Sequence, residues 1–355
     1  MELSNIIFTT IVLFFYYFFN KILLSIFIKS ENNLLNDNQF KKPQAFHEIP
    51  TYRLGGLTIF IFLNLVFLYL FIYQKIIFLE YITFCTLFFL LGFMDDLKIN
   101  VAPKFRLLLM AFFLLILIIF NEFSMKRISL EYLENLMQID IFALFFICLC
   151  FLFIINGANL IDGFNGLLGI HTFIILSVLF FVNLSHGNYN IAYVLLNISL
   201  IILIFIKFNF PKAQMFLGDG GAYLLGTIIS ISTITTNNSS SSISSFFFAI
   251  LVFYLFFEVF FSFFRKTFFT HKNPLLPDRK HLHMLLYQFL LKKNKNKLYS
   301  NYKVSVYINL VYLILMIPGF IFMNNGLFCK YYFFLLAIVY VVFYKMLYTR
   351  VKEDI

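Results

Sequence analysis

The chain alternates along its length between long apolar runs and short polar breaks. Eleven runs stand out, at about 5–28, 54–73, 76–93, 105–120, 139–155, 164–184, 190–206, 219–235, 245–264, 304–323 and 331–348. Apolar runs of about this length, with few charges, are long enough to cross the hydrocarbon layer of a membrane as helices. The pattern therefore predicts an all-α, polytopic membrane protein, with residues 1–355 forming one membrane-embedded domain. An odd number of spans puts the two termini on opposite sides. The polar breaks then fall into two sets. One comprises 29–53, 94–104, 156–163, 207–218, 265–303 and the tail after 348; the other comprises 74–75, 121–138, 185–189, 236–244 and 324–330.

Composition agrees with this reading, since 61% of the chain is hydrophobic and its mean hydropathy is +0.89. Soluble domains sit near roughly 45–50% apolar. Charge adds more. A formal net charge of +10 would suit a nucleic-acid partner on a soluble surface, but here the cations are sorted by side. The first set of breaks and its flanks holds 22 Lys and Arg residues, the second only 4. Cationic loops stay on the cytoplasmic side. The N-terminus is thus expected outside, the first set of loops and the C-terminus inside, and no nucleic-acid partner is expected. The four cysteines, Cys85, Cys148, Cys150 and Cys329, lie in or beside apolar runs and form no disulfide framework. The first run is followed by no small-residue cleavage site and reads as a retained helix.

The unusual polar clusters all belong to the cytoplasmic set: "FHEIPTYRLGG" (46–56), "MDDLK" (94–98), "NGANLIDGFNG" (156–166), "FNFPKAQMFLGDGG" (208–221) and "HKNPLLPDRKHLHMLLY" (271–287). Their convergence on one face argues for a site at the membrane boundary. Asp95 and Asp96 end the third span, where the helix dipole disfavours them as mere helix ends. Paired acids suit a divalent cation such as Mg²⁺, which binds through one or two carboxylates plus substrate phosphates. Asn156, Asn159, Asp162 and Asn165 recur at steps of three and would share a helical stripe able to read a base edge and sugar hydroxyls. A polar helix cap is the plainer use of such residues, but it needs fewer of them. Asp219, flanked by glycines, is either a helix cap or a metal carboxylate, and Phe216 just before it either packs or stacks on a base. Arg279, His281 and His283 precede the apolar periodicity of Leu282, Leu285, Leu286, Phe289 and Leu290; they either flank an interfacial helix or grip phosphates. Glu258, inside the ninth span, is either a site residue or a structural acid.

These stretches resemble the polyprenyl-phosphate N-acetylhexosamine-1-phosphate transferase superfamily, the MraY/WecA type. The likeness covers residues 40 to 290, with "HEIPTYRLGG", "MDDLK", "NGANLIDGFNGL", "NFPKAQMFLGDGG" and "PDRKHLH" in the family's order. The resemblance implies transfer of a sugar 1-phosphate from a UDP-amino sugar to undecaprenyl phosphate, giving a lipid-linked diphosphate sugar and UMP. The bacterial cytoplasmic membrane is the implied location. Mg²⁺ is the implied cofactor, with Mn²⁺ as a substitute, and a homodimer is admitted. It implies catalytic roles for Asp95, Asp96, His281 and His283, and a metal held by Asp219 and Asp96. It implies substrate binding by His47, Arg53, Asn156, Asn159, Asp162, Asn165, Asn209, Phe216 and Arg279. The chain departs from the family pattern at Gln44 and Ala45, Tyr52, Asn165, Glu258 and Met284. Its last loop is closer to WecA-type enzymes that initiate surface polysaccharides than to peptidoglycan MraY enzymes.

The physical logic stands beside the resemblance. A phosphate monoester has its second pKa near about 6, so the lipid nucleophile is largely ionised at neutral pH. Positioning and charge neutralisation then matter more than a strong base. The alternatives are an MraY-like phospho-MurNAc-pentapeptide transferase and a membrane transporter. A transporter would place its acids near the midplane and show repeated halves, and neither is visible here. CDP-alcohol phosphotransferases and metal-dependent prenyltransferases would need longer runs of spaced acids. The sidedness itself is testable: a single cysteine at Lys295 should resist an impermeant thiol reagent in intact cells and react once the membrane is opened, whereas one in 236–244 should react from outside.

Overall fold

The computed structural model describes residues 3–30, 35–37, 50–99, 101–269, 271, 273, 276 and 278–352. Among them, each of the eleven predicted spans corresponds to a helix or a broken helix. These are α1 (Leu3–Ser30), α2 (Gly55–Tyr69), α3 (Leu79–Asp96), α4 (Pro103–Phe120), α6 (Asp140–Ile161), α7 (Leu167–Ser185), α8 (Tyr189–Asn209), α9 (Gly218–Ser239), the pair α10 (Ser245–Leu251) and α11 (Phe253–Phe264), α13 (Lys297–Ile321) and α14 (Gly326–Lys352). Two further helices lie in the connections: α5 (Glu131–Leu136), which the sequence pattern did not foretell, and α12 (Leu282–Asn294), which follows the apolar periodicity there. A two-stranded pair, β1 (Asn36–Asp37) with β2 (Thr51–Tyr52), runs antiparallel. Eight of the helices are long and apolar enough to cross a membrane, or nine if α10 and α11 form one broken span. The chain is a multi-pass, all-α membrane protein.

The two expected spans outside that count, α3 and α9, are the less apolar ones. α3 carries Glu80, Asp95 and Asp96, and α9 is rich in Ser, Thr and Asn. α9 is buried along nearly its whole length, so it sees protein rather than lipid. Three of its hydroxyls find partners there: Thr227 donates to the Tyr223 carbonyl, Ser230 to the Gly226 carbonyl, and Ser232 pairs with Tyr81 at 2.9 Å. α1 and α14, by contrast, present Ile, Leu and Phe outward. Lipid offers no hydrophobic drive between helices, so close packing of small residues carries their association. That is how α9 is gripped. A Cβ on Gly56 would collide with the Gly221 backbone, one on Gly92 with the Asp219 carbonyl, and one on Gly226 would come to 2.7 Å from the Ile155 Cα.

The ninth span breaks at Val252, where α10 and α11 meet at 73°. No proline or glycine stands there. The Leu251 carbonyl at the break accepts a hydrogen bond from the Tyr312 hydroxyl at 2.6 Å, which satisfies a backbone group that lipid would leave bare. α11 then crosses α6 closely, with the Leu255 backbone set against Gly157.

Gly92→Ala forces a Cβ against backbone rather than against a flexible side chain, so α3 must part from α9. This substitution is expected to lower the melting temperature in detergent and to cost about 2 kcal/mol or more, whereas Gly326→Ala, with only Ser244 Oγ at 3.8 Å, should leave it unchanged.

Candidate active site

At one end of the bundle, α3 delivers Asp95 and Asp96 beside the first turn of α9. Gly218 takes a left-handed φ of +80° there, and a Cβ on it would lie 2.6 Å from the Asp96 carboxylate. Glycine is the residue that tolerates both demands. Leu217, the N-cap of α9, offers no side-chain cap. Asp96 supplies it from another helix: its two oxygens accept the N–H groups of Asp219 and Gly220, each at 2.9 Å. A carboxylate at a helix N-terminus meets both the orphan donors and the positive end of the dipole. Arg53 Nη1 adds a third bond to Asp96 at 3.1 Å, and Asp96 is only 3% exposed.

Arg53 is aimed by the backbone around it. Its N–H donates to the Leu35 carbonyl, the Phe216 N–H donates to Tyr52, and the N–H groups of Gly55 and Gly56 donate to Phe216 and Leu217. β2 and the segment before α9 are thereby laced together. The guanidinium binds Asp37 through Nε at 3.2 Å and Nη2 at 2.7 Å, and lies 3.9 Å from Asp219. Burial works against its charge, but Asp219, Asp37 and Asp96 outweigh burial and raise its pKa above the ordinary arginine value. Asp95 turns the other way and pairs with Arg106 of α4, whose guanidinium sits 5.8 Å from the Tyr223 ring centre.

The stripe ending α6 divides. Asn156 bonds back to the Leu152 carbonyl at 2.7 Å, Asn159 neighbours Tyr223, and Asp162 caps the helix end. Burial first, then the like charges of Asp219 and Asp96, push the Asp162 carboxyl well above the usual range. Asn165 is spent on structure: its amide donates to the Pro211 carbonyl and its N–H to Asn301. Asn209 likewise takes the Gly166 N–H at 2.6 Å and donates to Met215 at 2.8 Å. These two amides staple the turn after α6 to the segment before α9. Phe216 is half-buried and Arg279 is exposed. His47 lies outside the described residues. Asp37, Arg106 and Tyr223 were not singled out from sequence. A cation at the start of an apolar run, as Arg106 is, was the one available signal.

His281 and His283 are enclosed, at 2% and 0% exposure, with their rings stacked 5.6 Å apart. His281 Nδ1 lies 3.1 Å from Glu258 and Nε2 lies 3.4 Å from Asp278. Burial would raise the Asp278 carboxyl, but His281, Arg265, Lys266 and the Lys280 N–H outweigh it and hold it below the usual carboxylate range. His283 meets the Tyr254 hydroxyl at 3.2 Å and the edge of Phe164 at 5.8 Å; burial pulls its pKa down to about 4.

For a divalent cation the carboxylates differ. Both Asp96 oxygens are committed to α9. Asp219 is the open one, about a third exposed and approached only distantly by Arg53. Asp162 resists ionisation first because it is buried and then because the Asp219 and Asp96 carboxylates face it, and a cation among them would relieve that repulsion. Among the described residues no three His, Cys, Asp or Glu converge as a cage. The donor set suits an ion held by Asp219, with Asp162 beside it, and completed by substrate phosphates.

The profile of glycosyl transferase family 4 matches residues 78–237. The chain is 27% identical over 195 residues to an undecaprenyl-phosphate alpha-N-acetylglucosaminyl 1-phosphate transferase of Thermotoga maritima, an alignment spanning 55% of this chain but only 57% of that protein. It is 27% identical to a probable undecaprenyl-phosphate N-acetylglucosaminyl 1-phosphate transferase of Bacillus subtilis, over 78% of this chain and 73% of that one. It is 30% identical to a phospho-N-acetylmuramoyl-pentapeptide-transferase of Dictyoglomus thermophilum, over 62% of this chain and 71% of that one.

The two central aspartates should separate in experiment. Asp96→Asn aims an amide at donors and leaves Arg53 half-paired, so it should cost about 2–3 kcal/mol of stability and lower the melting temperature. Asp219→Asn should melt like the parent protein.

Proposed function

The chain belongs to glycosyl transferase family 4, and from that membership we propose that it transfers a HexNAc 1-phosphate from a UDP-sugar to undecaprenyl phosphate, releasing UMP. The observation that carries this reading is the constellation of Asp95 with Arg106, Asp96 with Arg53, and Asp219 with Asp162, gathered at the feet of α3, α6 and α9. A phosphate of the membrane lipid and a diphosphate of a soluble nucleotide meet there as anions. The sorted cations argue that this face is cytoplasmic and the membrane the bacterial inner one.

In the step itself an oxygen of the ionised lipid phosphate forms a bond to the sugar-bearing phosphorus. The bond from that phosphorus to the bridging oxygen breaks, and UMP leaves with the electron pair. Arg106 is placed to take the lipid phosphate, with Asp95 fixing the guanidinium's direction and accepting a residual proton if one remains. Arg53, anchored by Asp37 and Asp96, presents its charge toward Asp219 and the diphosphate. Asn156 and Asn159, half-buried at the end of α6, suit the uridine and sugar, with the buried Tyr223 behind Asn159. Asp96 acts by holding the α9 N-terminus. Mg²⁺ at Asp219 would supply positive charge to the diphosphate and the leaving group.

The 30% identity to a phospho-N-acetylmuramoyl-pentapeptide-transferase favours a second sugar, and one assay addresses both. Purified protein is offered radiolabelled UDP-GlcNAc, other UDP-HexNAc sugars and UDP-MurNAc-pentapeptide with undecaprenyl phosphate. Label should enter the lipid phase from a UDP-HexNAc, with equimolar UMP. EDTA should abolish it and Mg²⁺ restore it, and Asp219→Asn should lose about a hundredfold or more. Absence of lipid-soluble label from every sugar rejects the reading; label from the pentapeptide alone moves the chain to the second sugar.

A further inference from the structure

Away from that constellation stands a buried and fully bonded carboxylate, Glu258, 1% exposed in α11. Its Oε1 accepts the Leu282 N–H at 3.1 Å and faces His281 Nδ1 at 3.1 Å; its Oε2 accepts the Tyr340 hydroxyl at 2.7 Å. One carboxylate thus joins α11, the N-terminus of α12 and α14. An ionised carboxylate only accepts, so with Glu258 ionised His281 Nδ1 donates to it beside the Leu282 N–H and the Tyr340 hydroxyl. Asp278 backs the other side of the ring and is itself bound to Arg265 of the segment following α11 at 2.9 Å.

α14 contributes a stripe to the same place. Tyr344, one turn beyond Tyr340, donates to the Lys280 carbonyl at 3.0 Å, and Lys280 Nζ lies 5.4 Å from the Tyr348 ring centre. Segment 278–282 is therefore held from two helices. It carries Arg279 outward as an exposed cation. Inward, it stacks His281 on His283, and His283 meets Phe164, two residues after Asp162. α11 also packs Leu255 on Gly157, between Asn156 and Asn159. These paths from Glu258 reach Asp162, Asn156 and Asn159 on the α6 side of the site, while Glu258 itself makes no direct bond to Asp95 or Arg106.

We propose that Glu258 and Tyr340 are positioning residues for the nucleotide sugar: Tyr340 orients the Glu258 carboxylate, and Glu258 fixes the start of α12, which sets Arg279 and the Asp162 turn against the diphosphate. This rests on the transfer reading above. α14, otherwise turned to lipid, thereby becomes part of the site's support.

The test uses purified full-length protein with UDP-GlcNAc and undecaprenyl phosphate. Tyr340→Phe removes one donor and no volume from the interior; Glu258→Gln removes the charge. Each should raise KM for UDP-GlcNAc by about tenfold, the size expected for a lost charge-assisted hydrogen bond, and leave KM for undecaprenyl phosphate within about twofold. The double variant should be no worse than Glu258→Gln alone, because Tyr340 acts through Glu258. The Kd of UDP-GlcNAc, read by titration in detergent, should shift with KM, so the inference is tested even if turnover is absent. An unchanged KM and Kd in folded Tyr340→Phe overturns it, as do equal rises for both substrates or additive effects in the double variant. A parent protein that binds UDP-GlcNAc, with the predicted shifts, yet transfers nothing would sink the transfer reading and leave the positioning intact.

Discussion

The arrangement depends on one carboxylate capping a helix that is not its own. Asp96 reaches from α3 to the Asp219 and Gly220 N–H groups in the first turn of α9, and those groups would otherwise be unsatisfied in the protein interior. The bond is possible because glycine stands on both sides of the crossing, at Gly92 on α3 and at Gly218 and Gly220 on α9. With a side chain at any of them the helices would stand farther apart and the carboxylate would fall short. Once α9 is fixed, Asp219 is fixed with it. Arg53 is then drawn in by the same Asp96, and Phe216 by the backbone lacing to Tyr52. The feet of α2, α3 and α9 are therefore settled together.

The acids around this point are not equivalent, although the sequence presents them as similar. Asp95 and Asp96 are neighbours in the chain and face opposite partners, Arg106 and Arg53, because successive residues on a helix point about 100° apart. Asp219 is left open, while Asp162 faces like charges with little compensation. One face thus offers a structural carboxylate, a cation-steering one, an open one and one that burial and like charges keep from ionising. Such separation by surroundings is how similar residues acquire different chemical work.

The spans were legible because the length of an apolar run is a direct physical requirement of the bilayer. The break at Val252 was not, since nothing local marks it; what permits it is a hydroxyl from Tyr312, sixty residues along the chain. The polar clusters were legible as a group because so few charges occur in this chain. Their partners were hidden. The cap that Asp96 supplies lies 123 positions away, Asp37 sits in a two-residue strand that no sequence pattern marks, and Tyr340 is one tyrosine among 21. Asn165 and Asn209 looked like ligand readers because an amide's preference for backbone or for a base edge is set entirely by what stands opposite. Here backbone stands opposite both.

The glycine crossing also bears on how such a chain can diverge. Where helices touch through bare backbone, specificity resides in a handful of positions that have no side chain at all. The outward surfaces, filled here largely by phenylalanine, isoleucine and leucine, need only be greasy and of roughly the right bulk. A genome under strong compositional pressure can rewrite most of the membrane-facing surface without disturbing the close contacts within. The positions least free to change are then the smallest residues, because each is held by backbone on the other side.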